Sequence, residues 1–118
     1  MYDKKILIVD DSGSMRGMLE EILIQAGFVN IIMAVNGEDA LTAMHKHHPD
    51  LILLDVIMPV MNGMTALKEI GTQTKVMILS AVGQDSIIKE AKNLGALDFL
   101  VKPLDRDDVV KKVTRCLE

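Results

Sequence analysis

Apolar positions along the chain change their period in a repeating order. Ile6-Leu7-Ile8-Val9 is an unbroken apolar run, the pattern of a strand buried on both faces. Met15, Met18, Leu19, Ile22, Leu23 and Ala26 then recur at helical spacing, with Ser12 or Ser14 placed to cap that helix and Gly27 to end it. The alternation continues: a strand at Ile31 to Val35, then a weaker helix from Glu38 to His48 stopped by Pro49. Leu51 to Leu54 predicts a strand, and Met64, Leu67 and Ile70 a short helix ending near Gly71. Val76 to Leu79 is a strand before a helix carrying Ile87, Ile88, Ala91 and Leu94, which Gly95 closes. Phe99-Leu100-Val101 is a short strand, and Val109, Val110, Val113 and Leu117 mark the last helix.

Five strands alternating with five helices predict an α/β fold, a parallel sheet covered by helices on both faces. For five strands the common doubly wound order is 2-1-3-4-5, with ligands beyond the carboxyl ends of the strands, where strands 1 and 3 meet. No linker, low-complexity tract or repeat interrupts the 118 residues, so a single domain over 1–118 is expected. A hydrophobic share of 49% is enough for a core and excludes a disordered chain. Thirteen Lys and Arg against seventeen Asp and Glu argue against nonspecific nucleic-acid binding, and no apolar run reaches membrane-spanning length. Cys116 is the one cysteine, and no cleavable leader precedes the first strand; together these predict a cytoplasmic chain.

The polar residues at the strand ends carry the candidate chemistry. Strand 1 ends in Asp10-Asp11, strand 3 in Asp55, strand 4 in Ser80 and strand 5 in Lys102-Pro103. Two like charges ~4 Å apart repel by roughly 4 kcal/mol at an effective dielectric of ~20, so three converging carboxylates need a positive partner. An all-oxygen ligand set suits a hard divalent cation, and magnesium leaves room for a substrate oxygen. A carboxylate facing such a metal and an ammonium suits a phosphoryl acceptor. Solvated turns would explain each motif singly, but not four of them at the ends of four strands.

Ile6 to Ser12, Asp55-Val56-Ile57-Met58-Pro59 with Asn62-Gly63, Ser80-Ala81 and Lys102-Pro103 resemble the receiver domain of two-component response regulators. The resemblance spans Lys4 to Leu117, and Asp10-Asp11-Ser12 before Met15-Arg16 is most similar to the stand-alone CheY-like chemotaxis regulators. It implies a flavodoxin-like (βα)5 fold and a signalling switch that catalyses only its own phosphorylation and dephosphorylation. Asp55 would be the phosphoacceptor, and Asp10, Asp11, Asp55 and the main-chain carbonyl of Ile57 would hold Mg2+. Ser80 and Lys102 would contact the phosphoryl oxygens, Ser80 and Phe99 would form the switch, and the Lys102–Pro103 bond would be cis. The implied partners are a histidine kinase and a downstream protein target, with a flagellar motor switch as one candidate, and a monomer is expected. Output would use the face of helix 4, strand 5 and helix 5, with Lys89, Lys92, Phe99 and Lys112. Ser80 stands where Thr is frequent and Phe99 where many relatives have Tyr.

Other readings have less behind them. A receiver cut from a larger regulator, or a phosphorelay carrier, would share every motif. An aspartate-nucleophile phosphatase would want an acid at position 57, which is Ile57. A flavin module would be repelled by Asp10-Asp11, and a scaffold without chemistry would tolerate losses that are not seen. His45, His47 and His48 lack the i,i+4 pairing of helical zinc sites and read as solvent-facing groups at a helix end. Most methionines lie at core spacing; Met58, Met61 and Met64, near the acids, are candidates for mobile contact residues, and Cys116 for an inert thiol.

Overall fold

The structure is a computed structural model that describes residues 1–56, 58 and 62–118. Its elements are β1 (Lys5–Val9), α1 (Gly13–Gln25), β2 (Asn30–Ala34), α2 (Gly37–His47) and β3 (Leu51–Asp55), then α3 (Gly63–Ile70), β4 (Lys75–Ala81), α4 (Asp85–Asn93), β5 (Asp98–Lys102) and α5 (Arg106–Leu117). The five strands form one sheet in the order β2-β1-β3-β4-β5, every pair parallel. That is the expected doubly wound, flavodoxin-like fold.

Alternation along each strand sorts the side chains into two cores. Ile6 and Ile8, Leu51 and Leu53, Met77 and Leu79, and Leu100 pack under α1 and α5. Leu7 and Val9, Ile52 and Leu54, and Val76 and Ile78 pack under α2, α3 and α4. β1 and β3 are buried on both faces, which explains their unbroken apolar runs.

Ser12 is the residue that caps α1: its hydroxyl accepts from the Met15 amide at 3.2 Å. Asn36 and Asn62 cap α2 and α3 in the same way, at 2.8 and 2.9 Å. α2 closes on His48 in the left-handed region, φ 49°, because Pro49 cannot continue the helix. Several boundaries shift by a residue or two from the sequence expectation, and the shifts in β2 and β4 show why. β2 begins at Asn30 and ends at Ala34, pinned by its register against Lys5 to Val9. β4 runs on to Ala81, so Ser80 lies inside the strand rather than beyond it, paired with Val101.

Candidate phosphoryl and metal site

The strand faces decide which polar groups meet. Asp10 and Lys102 follow Ile8 and Leu100 on the α1/α5 face, and Asp55 follows Leu53 on the same side. At the carboxyl edge of the sheet these three side chains converge. The Lys102 ammonium stands 3.1 Å from an Asp10 carboxylate oxygen and 3.5 Å from one of Asp55. Asp10 and Asp55 are buried, while Asp11 is exposed at the rim. One carboxylate oxygen from each of Asp10, Asp11 and Asp55 lies within 4.8 Å of the others, close enough to ligate one ion.

Two hydrogen bonds hold Asp10 in place. The other Asp10 oxygen accepts from the Ser12 amide at 2.9 Å, and the Arg16 guanidinium donates to the Asp10 carbonyl at 2.7 Å. Arg16 therefore adds a second cation to the one that the sequence supplied in Lys102. Three carboxylates still outnumber them, so an all-oxygen, net acidic mouth remains, and that donor set fits magnesium. Gly63 shapes the floor: a Cβ there would overlap the Asp55 carbonyl oxygen and lie 2.5 Å from the Val56 Cα. Its amide instead donates to the Val56 carbonyl at 3.0 Å, drawing the start of α3 against the end of β3. Neither Arg16 nor Gly63 had a site role in the sequence reading, although Asn62-Gly63 and Arg16 stood within the resemblance.

Ser80 is not aimed like the acids. It follows Val76 and Ile78 on the α2/α3/α4 face, and its buried hydroxyl has no hydrogen-bond partner. Phe99 lies on that face too, half-buried beside a cleft of about 430 Å3 lined by Ala81, Val82, Ile88, Lys92 and Val101. The Lys112 and Lys92 ammonium groups stand 4.4 and 5.2 Å from the ring centroid, and Lys112 also donates to the Phe99 carbonyl at 2.7 Å. Lys89 completes this surface at the mouth of the cleft.

The Lys102–Pro103 peptide bond is cis. The Ile57 carbonyl and Met61 lie outside the described residues. Met58 is corrected from a candidate contact residue to a core residue: it is buried among Val56, Ala66 and their neighbours. Met64 packs against that same core. Among the described residues His45, His47 and His48 join no metal-ligating cluster. Burial pushes the Cys116 thiol above its ordinary value, which keeps it protonated and unreactive near neutrality.

Known proteins resemble this chain in sequence and in fold. The response regulator receiver domain family matches residues 6–114. The chemotaxis protein CheY of Bacillus subtilis is 42% identical, covering 96% of this chain and 97% of its own length. Sporulation initiation phosphotransferase F of the same organism is 39% identical, covering 99% and 96%. Among solved structures, the chemotaxis response regulator CheY4 of Vibrio cholerae superposes with a TM-score of 0.88 at 34% identity, over 98% of this chain and 99% of that one. The receiver domain of NtrX from Brucella abortus gives 0.90 at 30% identity, over 96% and 98%.

Proposed function

The chain belongs to the response regulator receiver family, and on that premise we propose that it is a phosphorylation switch, one receiver domain over 1–118. Asp55 takes a phosphoryl group from a histidine kinase, and the change is read by a protein partner at the surface of α4, β5 and α5. The observation that carries this reading is a buried carboxylate at the end of a central strand, 3.5 Å from a lysine ammonium and grouped with two further acids.

Each residue has a physical task. An Asp55 carboxylate oxygen attacks phosphorus, and the donor leaves with the electrons of the broken P–O or P–N bond. Asp10, Asp11 and Asp55 would hold magnesium, which when bound would offset charge on the transferring oxygens. Lys102, anchored between Asp10 and Asp55, is in reach of a phosphoryl oxygen without a large movement. The buried Ser80 hydroxyl supplies a donor once it turns toward the phosphoryl group. That turn opens the space beside β5 into which Phe99 moves. Conversion of about one negative charge into about two, with new acceptor oxygens, drives the change.

The test is direct. With an acyl phosphate and magnesium the chain gains the mass of one phosphoryl group, and Asp55→Asn gains none. Equal labelling of Asp55→Asn overturns the assignment.

A further inference from the structure

The amide of Ala81 is the point from which a new role for Gln84 follows. Carbonyl and amide groups of a strand alternate between its two neighbours. Leu79 turns toward β3, since its carbonyl accepts from the Val56 amide at 3.4 Å, and Val76 turns toward β5, accepting from Leu97 at 2.8 Å. Ala81, two residues beyond Leu79, therefore directs its N–H to the β3 side. There β3 has already ended, at Asp55, which is paired with Leu79. On its other side Ala81 is paired with Lys102, whose ammonium reaches Asp55. The Ala81 N–H is thus a backbone donor aimed at the acid mouth, and the oxygens of a phosphoryl group on Asp55 are the acceptors it would meet.

That donor is taken. The Gln84 side-chain carbonyl oxygen accepts from the Ala81 N–H at 2.6 Å. Gln84 is the N-cap residue of α4, yet its side chain makes no bond to that helix and reaches back to the strand end. Next along the chain, the Ser80 hydroxyl is buried without a partner. The two donors that β4 could offer a phosphoryl group are both withheld in this state.

We propose that Gln84 is a positioning residue: its side chain latches the resting loop between β4 and α4 by competing with the phosphoryl oxygens for the Ala81 N–H. The proposal rests on the phosphoryl reading of Asp55. Phosphorylation transfers the Ala81 N–H from Gln84 to a phosphoryl oxygen, Gln84 is released, and the first turn of α4 is freed as Ser80 turns. Ala81 is exposed, so water satisfies its amide when Gln84 is removed, and the latch is worth about one neutral hydrogen bond. Removal of the acceptor then tightens binding of a phosphoryl mimic by roughly fivefold.

The experiment uses the whole chain with magnesium and titrates beryllofluoride into wild type, Gln84→Met, Gln84→Glu and Asp55→Asn. Two-dimensional NMR follows the Ala81 amide, and the unfolding midpoint checks that each variant is folded. In the resting state Gln84→Met moves the Ala81 amide proton upfield. Gln84→Glu, which keeps an acceptor at the same reach, restores the shift. Beryllofluoride binds Gln84→Met about fivefold more tightly than wild type. An Ala81 signal that is the same in wild type and Gln84→Met overturns the latch. So does a change in beryllofluoride affinity of less than twofold while wild type binds and Asp55→Asn does not. Wild type that takes no more beryllofluoride than Asp55→Asn overturns the phosphoryl reading itself, and the competition with it.

Discussion

The two faces of the sheet are closed to different degrees. Under α1 and α5 the core is full, with Phe28, Leu19 and Leu23 wholly buried, and its upper edge carries Asp10, Asp55 and Lys102 tied to one another. Under α4 the packing opens toward β5 into a cleft of about 430 Å3, with Phe99 half-buried at its side and Ser80 buried without a hydrogen bond. One sheet thus holds its charged cluster on the face that is packed, and Ser80 and Phe99 on the face that is not. A strand reverses face every residue, so neighbours can serve both ends. Leu100 fills the first core while Phe99 and Val101 line the cleft. Rearrangement beside the cleft therefore need not disturb the three carboxylates grouped closely enough to ligate one ion.

The largest test of this contrast compares the chain's two phenylalanines. Phe28 is fully buried and meets Tyr2 edge to face with ring centroids 5.1 Å apart. Phe28→Ala is expected to cost about 3–5 kcal/mol in denaturant unfolding. Phe99 has a cleft on one side and two lysines over its ring, so Phe99→Ala is expected to cost only about 1–2 kcal/mol. Equal losses would mean that the second face is as closed as the first.

A smaller effect sharpens the charged edge. Lys102→Met leaves the buried carboxylates of Asp10 and Asp55 without the ammonium they share. Breaking a buried pair by removing one partner typically costs about 3–5 kcal/mol, and access of solvent and of Arg16 to the mouth brings the expected loss down to about 2 kcal/mol. Magnesium should then stabilise Lys102→Met more than wild type, since a cation is what the acids lack. Chemical unfolding with and without the metal measures both. An equal magnesium increment in the two proteins would separate Lys102 from the carboxylate cluster.

Legibility followed the same division. The βα alternation and the acids were readable because strands buried on both faces leave unbroken apolar runs, and a charge at the end of such a run has few bland explanations. Lys102 was readable because it closes the apolar run Phe99-Leu100-Val101, although β5 itself is only half-buried. The open face was harder. The end of β4 is set by its pairing with β5, which carries the strand through Ser80 to Ala81, and no local pattern marks that. Gln84 signalled nothing in sequence, because its reach to Ala81 depends on the path of the loop. Gly63 was visible as punctuation, but the need for it comes from the Asp55 backbone that a Cβ would strike. Met58 was apolar near the acids, and only its tertiary surroundings place it in the core.

The smallest effect has an unusual sign. Ser80 is 2% exposed and its hydroxyl has no partner, so the resting fold carries a buried polar group without its compensating bond. Such a group costs about 1–3 kcal/mol, and its removal by an apolar residue of nearly the same size recovers part of that. The space left by the lost oxygen is small and costs something back. Ser80→Ala is therefore expected to raise unfolding stability, by about 0.5–1 kcal/mol, where most core truncations lower it. The same change removes the donor that would meet the phosphoryl group, so beryllofluoride should bind Ser80→Ala more weakly than wild type. Stability and binding then move in opposite directions from one atom, as expected where a strained group is kept for its use in a second state. If Ser80→Ala lost stability and bound the mimic as wild type does, Ser80 would be an ordinary strand residue. The open face would then need another group to connect it to Asp55.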